Sequence, residues 1–132
     1  MKKRLIIAAS VLIALSACDT MSTDLEGKWQ LNQIECGGEI SAVDTVWYNF
    51  QTTLFQYQIY DRSSDRYRYS YGYNFYEGDQ LKLQLLSDPH PVGEFLPYTD
   101  WQEATRNFCV EKVTHKQLIL SSEGKKYIFK KF

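Results

Sequence analysis

Tyr67-Arg-Tyr-Ser-Tyr-Gly-Tyr-Asn-Phe75 is the stretch of sequence that decides the fold. Each odd-numbered position in it holds an aromatic ring, and the even-numbered positions hold Arg68, Ser70, Gly72 and Asn74. Successive side chains of a β-strand point to opposite faces of the sheet, so a period of two residues indicates a strand. Aromatic residues also favour strands. We therefore predict a strand from residue 67 to residue 75 with one continuous aromatic face.

The same period of two continues on both sides of this strand. Upstream, apolar and polar residues alternate in three runs, at residues 27–34, 46–51 and 53–60. Downstream, four more strands are predicted, at residues 80–85, 108–114, 117–121 and 125–132. Turn-forming residues such as Glu77-Gly-Asp79 separate neighbouring runs. Hairpins that follow one another in this way predict a meander.

The strand rhythm breaks in residues 87–97, which contain all three prolines of the chain. Proline lacks the backbone N–H that a strand ladder requires. Thr99 and Gln102 then have the spacing of a helix capping box. The spacing predicts one short helix that begins there and ends at about Arg106.

These elements together predict an all-β fold. About eight antiparallel strands joined by short turns are typical of a single closed up-and-down β-barrel. Closure would also remove the unpaired edge strands, through which an aromatic-rich meander would be prone to aggregate. A two-sheet β-sandwich uses the same alternation of faces and is the alternative.

The amino-terminal residues have the pattern of an export signal. Lys2, Lys3 and Arg4 carry positive charge, and residues 5–17 are apolar apart from Ser10 and Ser16. A positive flank stays on the cytoplasmic side while the apolar stretch enters the export channel. A membrane-spanning helix needs about 20 apolar residues, so this run is too short to span and is interpreted as a signal peptide.

The signal ends in Leu15-Ser-Ala-Cys18, which resembles the bacterial lipobox. The resemblance implies that the Cys18 thiol receives a diacylglyceryl group, that residues 1–17 are removed and that the new amino terminus is acylated. Several acyl chains give stable membrane attachment at about 0.8 kcal/mol per buried CH₂. Residues 18–26 would then form a lipidated tether and residues 27–132 the folded domain. An ordinary signal peptide with a cysteine near its end is the alternative.

This anchor sets the expected location and the charge of the mature chain. The location is the bacterial cell envelope, at the inner or the outer membrane, facing the periplasm or the cell surface. Three of the 15 Lys and Arg residues leave with the signal, so 12 remain against 16 Asp and Glu residues, a net charge of −4. A negative balance argues against a nucleic-acid partner.

The remaining cysteines, Cys36 and Cys109, are an even pair in an oxidising compartment. We expect a disulfide between them, which would close a long loop and stabilise the fold by up to about 4 kcal/mol. Two free thiols are the alternative. Two distant cysteines and the isolated His90 and His115 lack zinc-site spacing, so neither a metal nor another cofactor is expected.

No catalytic signature stands out in the sequence. An enzyme needs a nucleophile with a base, a carboxylate pair in a cleft, or a metal. His90 and His115 fall in predicted loops without a Ser or Cys beside them. The aspartates at the turns lack the spacing of a calcium loop. We expect a protein that is not an enzyme.

Aromatic side chains supply the candidate binding residues. The candidates are Trp29, Tyr57, Tyr67, Tyr69, Tyr71, Tyr73 and Phe75. One interpretation places the five rings of residues 67–75 around a barrel cavity, where they would contact a lipid, a sterol-like molecule or a sugar. A second interpretation, which we favour, is that these rings fill the barrel. A third is that they face outward as a recognition surface.

The proline-containing segment 87–98 is a second candidate contact region. It carries His90, Phe95, Leu96 and Tyr98. Loops on a rigid scaffold often carry function. We expect this segment either to cap one end of the barrel or to present a contact epitope.

The sequence also resembles the small lipocalin-like lipoproteins of Bacteroidetes. The matching features are Leu25-x-Gly27-x-Trp29, the run Trp47-Tyr-Asn-Phe50 and the closing strands that end at Phe132. The resemblance implies a lipid-anchored barrel that binds a small apolar or amphipathic ligand. The alternative is a protein-contact module with a fully packed barrel, either an accessory subunit of an envelope complex or a hydrolase inhibitor.

Overall fold

The computed structural model describes residues 25–132, and the predicted signal, Cys18 and most of the tether lie outside them. Within these residues, nine strands and one single-turn helix follow in chain order. They are β1 (Gly27–Cys36), β2 (Glu39–Ala42), β3 (Val46–Gln51), β4 (Leu54–Asp61), β5 (Arg66–Glu77), β6 (Gln80–Leu85), α1 (Val92–Phe95), β7 (Thr105–Val113), β8 (Gln117–Ser122) and β9 (Lys125–Lys131). A short 3₁₀ turn, Leu96–Tyr98, directly follows α1.

Eight of the strands form a closed antiparallel barrel, as the sequence predicts. Strands β3 to β9 each pair with the next, β1 pairs with β3, and β9 returns to pair with β1. Leu31 of β1 lies opposite Phe129 of β9 at this closure. The β-sandwich alternative is therefore not adopted. Strand β2 is not among the predicted strands; it is short and exposed, and it pairs with the second half of β1.

Strand β5 has the predicted alternation, but its faces are the reverse of those we favoured. Ser70 and Asn74 are buried, and the five aromatic rings lie on the outside of the barrel. The Ser70 hydroxyl donates to the Leu86 carbonyl, and the Asn74 amide donates to the Leu54 carbonyl at 2.8 Å. The interpretations that placed these rings in a cavity or in the core are wrong.

Space inside the barrel explains this orientation. Gly72 lies opposite Phe55 of β4, and a Cβ atom on Gly72 would come within 2.0 Å of the Gln84 carbonyl oxygen. The small inner side chains of β5 leave room for large rings from other strands. The largest fully buried side chains include Trp29, Tyr48, Phe55, Phe108, Tyr127 and Phe129. A second set of five rings on the inside would not fit.

The barrel is closed at the end where β1 begins. The Trp29 indole N–H donates to the Leu25 carbonyl oxygen at 2.8 Å. The Lys131 ammonium lies 4.2 Å from the Trp29 ring centroid and donates to the Glu26 carbonyl at 2.6 Å. These contacts join the beginning of β1 to the end of β9.

The connection between β6 and β7 crosses the other end, which we call the mouth. Its helix, α1, precedes Thr99, so the predicted helix from Thr99 to Arg106 is wrong. The Thr99 hydroxyl does accept the Trp101 backbone N–H at 2.9 Å, but it does so in a turn. Arg106 already belongs to β7, where it lies opposite Leu83 of β6, and strand pairing there prevents a helix.

The predicted disulfide between Cys36 and Cys109 is also wrong, and both thiols are free. Cys36 ends β1 opposite Lys125 of β9, whereas Cys109 lies in β7 opposite Ser121 of β8. Two strands therefore separate the cysteines, a path of roughly 14 Å along the sheet. A disulfide needs Cα atoms within about 7 Å of each other.

Candidate functional site

The mouth of the barrel is filled by two aromatic side chains of the β6–β7 connection. Trp101 is 4% exposed and stacks on Phe55, with ring centroids 6.3 Å apart and planes 7° apart. Its indole N–H donates to the Tyr48 hydroxyl at 3.0 Å. Phe95 is also buried and meets the Tyr57 ring edge-on at 5.4 Å. Trp101 and Phe95 therefore form a plug.

Asp100 attaches this plug to the barrel wall. The Tyr127 hydroxyl donates to the Asp100 carboxylate at 2.5 Å, and Arg106 Nη1 donates to it at 3.2 Å. Arg106 Nη2 also donates to the Tyr127 hydroxyl at 2.7 Å. Arg106 is 6% exposed, so its charge needs these partners. The plug is consequently held by charge-assisted hydrogen bonds as well as by ring contacts.

The tyrosines around the plug stay neutral. Burial raises the pKa of Tyr48 well above its ordinary value. Burial, and then the charge of Asp100, raise the pKa of Tyr57. Burial and the hydrogen bond to Asp100 raise the pKa of Tyr127. These phenols therefore serve as neutral hydrogen-bonding groups in the interior.

Beside the plug, at the mouth, lies a cavity of about 110 Å³ that neither Trp101 nor Phe95 lines. Apolar side chains and the polar groups of Tyr48, Tyr57, Thr99, Asp100 and Tyr127 line it. Pockets for drug-sized ligands measure about 300–1,000 Å³, and one water takes about 30 Å³. The cavity therefore has room for a few waters or a very small molecule, but not for a lipid. The predicted binding residues Tyr57 and Trp29 are both buried. Tyr57 belongs to the core, and Trp29 closes the other end of the barrel.

The outer surface of β3, β4 and β5 is the most distinctive surface of the described chain. We call it the outer aromatic face, and its side chains are Trp47, Asn49, Gln51, Leu54, Gln56, Gln58, Tyr60, Tyr67, Tyr69, Tyr71, Tyr73 and Phe75. The five β5 rings are 40–57% exposed. None of the twelve side chains is charged. Lys28 and Lys82 lie at the two edges of this face.

Rings and amides stand side by side on this face. Tyr71 lies opposite Gln56, which lies opposite Asn49. Tyr69 lies opposite Gln58, which lies opposite Trp47. The Asn49 amide donates to the Gln56 carbonyl oxygen at 2.7 Å. A groove of about 420 Å³ lies beside Tyr71 and is lined in part by Asn49 and Gln56. This volume falls within the range of ligand pockets.

Two buried polar atoms on the face have no hydrogen-bond partner among residues 25–132. They are the Asn49 Oδ1 atom and the Trp47 Nε1 atom. Trp47 is 7% exposed because Tyr67 and Phe132 pack against it, each with its ring centroid 5.9 Å away. An unpaired buried polar group costs about 1–3 kcal/mol. The face therefore has unused hydrogen-bonding capacity.

The four candidate residues of the segment 87–98 are divided between two roles. Phe95 belongs to the plug, and Leu96 packs against the core. Tyr98 is exposed, with the Arg68 guanidinium 4.1 Å from its ring centroid. His90 borders a hollow of about 200 Å³ beside this pair. The segment caps the barrel, and only its outer residues are available to a partner.

A further hollow, of about 620 Å³, lies at the closed end of the barrel. Leu25 and Glu26, the first residues that the structure describes, form one wall, and Glu77 and Lys82 contribute charge. This hollow borders the point where the predicted tether enters the barrel. We place no ligand there.

The described residues offer neither a metal site nor a membrane span. Residues 25–132 contain no group of three or more His, Cys, Asp or Glu side chains that could hold a metal ion. In the same range, no helix is long and apolar enough to cross a membrane.

The closed meander barrel agrees with the comparisons to known proteins. A family model described as a lipocalin-like domain matches residues 13–132, so the chain belongs to that family. A crystal structure of a lipocalin-like protein from Bacteroides uniformis is 33% identical with a TM-score of 0.73, covering 83% of this chain and 99% of that one. A protein structure from Bacteroides eggerthii is 29% identical with a TM-score of 0.67, covering 81% and 98%. No curated protein matches the chain.

The residues that fill and hold the mouth are not among the binding residues predicted from the sequence. Trp101, Asp100 and Arg106 belong to the segment predicted as a helix, and Tyr48 belongs to a predicted strand and to the family resemblance. A usable signal exists in Trp101, because a large apolar residue outside the regular strands is more often a core contact than a surface feature.

Proposed function

We propose that this protein is a lipid-anchored, non-enzymatic contact module of the bacterial cell envelope. It binds its partner through the outer aromatic face of a filled lipocalin-like barrel. The observation that carries this proposal is the pairing of a plugged mouth with an uncharged, ring-rich outer surface. Of the two functions that the sequence suggests, this geometry supports the contact module with a packed barrel.

The interior argues against transport of a lipid in the conformation described. A ligand of pocket size would have to displace both Trp101 and Phe95 from the mouth. It would also have to break the contacts of Asp100 with Tyr127 and Arg106. The cavity beside them at the mouth, about 110 Å³, is too small for an apolar chain.

The outer aromatic face has the properties of a contact surface. Exposed aromatic rings in a contiguous group mark interaction sites on soluble proteins, and tyrosine is enriched at interfaces. The absence of charge among its twelve side chains lowers the cost of desolvation when a partner covers it, because only the edges, at Lys28 and Lys82, carry ions.

The sequence supports the anchor and the location. Leu15-Ser-Ala-Cys18 supports lipid attachment at Cys18, and the short segment 18–26 would hold the barrel near the membrane. A membrane-held module needs no membrane-binding surface of its own. The test is metabolic labelling with a palmitate analogue in cells that express wild-type protein or Cys18→Ala. Label on the wild type alone supports the anchor, and equal labelling of both contradicts it.

Photo-crosslinking in cells tests the contact surface. A benzophenone amino acid replaces Tyr71 on the face, and in a matched control it replaces Ile40, which is 64% exposed on β2 outside the barrel ring. We expect a discrete adduct of higher mass from position 71 and none from position 40. An equal pattern from both positions, or no adduct at position 71, contradicts the proposal.

A further inference from the structure

We infer that the outer aromatic face binds a neutral glycan chain, which lies along strand β5. This inference rests on the proposed function, because it names the chemical class of the partner at the same surface. Four features carry it: the row of rings, the neighbouring amides, the absence of charge and the unpaired polar atoms.

The rings form a row with the shape of an extended ligand. Alternate residues on one side of a strand are about 6.7 Å apart, so the row from Tyr67 to Phe75 is about 27 Å long. The rings are tilted towards each other in pairs, with centroids 5.5 Å apart for Tyr69 and Tyr71 and 6.4 Å apart for Tyr73 and Phe75. Each ring keeps an exposed surface. A pyranose presents its apolar C–H face to such rings, and a chain of them would contact several in series.

The amides supply the polar half of sugar recognition. Side-chain amides carry both donors and acceptors, which sugar hydroxyl groups require. Gln56 and Gln58 lie directly beside Tyr71 and Tyr69, so stacking and hydrogen bonding are available at adjacent positions. The groove beside Tyr71, of about 420 Å³, has room for a sugar unit.

The unpaired atoms point to a hydroxylated ligand. Asn49 Oδ1 accepts no hydrogen bond and Trp47 Nε1 donates none within the described part of the chain. Asn49 borders the groove, and a rotation of its amide that gives up the 2.7 Å hydrogen bond to Gln56 would turn its oxygen towards a sugar hydroxyl there. Trp47 Nε1 is covered by the Tyr67 and Phe132 rings. Asn49 Oδ1 is therefore the one of the two atoms that a ligand in the groove could pair, and a purely apolar ligand would leave it unpaired.

The charge of the face selects among glycans and other partners. None of its twelve side chains is cationic, although the Lys28 and Lys82 ammonium groups lie at its edges, 5.7 Å from the Trp47 and 4.6 Å from the Phe75 ring centroid. The middle of the face, around Tyr71, therefore lacks the Arg and Lys groups that bind sulfate, phosphate or carboxylate. A protein partner is less well matched, because protein hot spots sit in packed central pockets. These rings instead protrude in a row from the convex wall of a barrel.

The test is direct binding by the full chain held in nanodiscs. The probes are soluble neutral polysaccharides (an α-glucan, a β-glucan, a xylan and a mannan) and two anionic ones (alginate and heparin). The variants are Tyr71→Ala, Tyr71→Phe and, as control, Ile40→Ala. Circular dichroism and thermal unfolding check that each variant is folded.

We expect at least one neutral polysaccharide to bind and both anionic ones to fail. Tyr71→Ala should weaken binding by about ten-fold, which corresponds to about 1.4 kcal/mol. Tyr71→Phe, which keeps the ring, should bind more strongly than Tyr71→Ala, and Ile40→Ala should bind as the wild type does. Preferential binding of the anionic probes, no binding of any neutral one, or equal binding by Tyr71→Ala overturns the inference.

The photo-crosslinking experiment separates this inference from the proposed function. A protein adduct at position 71 without glycan binding overturns the glycan assignment but leaves the contact module standing. Loss of both the adduct and the glycan binding overturns both proposals.

Discussion

Replacing Trp101 by alanine removes the centre of the plug and tests whether packing at the mouth stabilises the barrel. Trp101 is almost fully buried, stacks on Phe55 and donates a hydrogen bond to Tyr48. Its ring also meets Tyr57 and Phe108, with centroids 5.4 and 6.0 Å away. The substitution therefore removes packing and one buried hydrogen bond together.

The expected magnitude follows from these contacts. Truncation of a buried Trp to Ala costs about 3–5 kcal/mol in general. The rings around position 101 belong to strands of the barrel and cannot collapse inward freely, so we expect about 4 kcal/mol rather than the lower limit. The control is Tyr98→Ala in the same connection. Its side chain is exposed, so its cost should stay within about 1 kcal/mol.

Urea denaturation of the full chain in detergent measures the loss of unfolding free energy in Trp101→Ala and in Tyr98→Ala. Binding of a small aromatic molecule to the cavity in Trp101→Ala is a second measurement. An apolar cavity of about 150 Å³ holds benzene. The cavity left by Trp101 should therefore accept indole, which should raise the unfolding temperature of Trp101→Ala and not that of the wild type.

Two results would refute this reasoning. A loss of less than about 1 kcal/mol in Trp101→Ala would mean that the plug contributes little to packing. Stabilisation of the wild type by indole to the same degree would mean that the mouth is already open.

Three further predictions concern β5, the hairpin after β4 and the cysteines. Gly72→Ala should lower the free energy of unfolding by about 1–3 kcal/mol, because the new methyl group would lie 2.0 Å from the Gln84 backbone. An unchanged midpoint of denaturant unfolding would contradict the close approach of β6 to β5. Hydrogen bonds from Ser63 and then Ser64 lower the pKa of Asp61 to about 2. Its ionised form therefore stabilises the folded state above the ordinary carboxylate pKa, and this contribution is lost as pH falls through about 2. A carboxyl ¹³C titration of Asp61 with a midpoint near 4 would argue against these hydrogen bonds. Thiol alkylation without reductant should modify both Cys36 and Cys109, whereas a cross-linked peptide in the digest would restore the rejected disulfide.

The sequence predicted the strands well because their signal is local. Alternation of rings and small polar residues from Tyr67 to Phe75 requires a strand whichever face is buried. It does not say which face is inside. That choice depends on the volume brought by Phe55, Tyr57 and Trp101 from other parts of the chain, and no local pattern contains it.

The errors at the mouth and at the cysteines have the same origin. A capping-box spacing at Thr99 is compatible with a turn, and the pairing of Arg106 with β6 decides the outcome. Cys36 and Cys109 match in number and compartment, but barrel closure through β9 places two strands between them. In both cases the pairing of strands distant in sequence decides the structure, and the local pattern, a capping-box spacing or an even number of cysteines, does not. The uncharged outer face likewise emerges only when three strands are set side by side.

The central claim, that contact occurs outside a filled barrel, is tested most directly by native mass spectrometry of the full chain extracted from its own membrane in mild detergent. We predict a mass equal to the processed and modified chain, with no small apolar molecule that dissociates on denaturation. A stoichiometric apolar molecule, present in the wild type and lost when the protein unfolds, would contradict the claim and restore the lumen as the binding site.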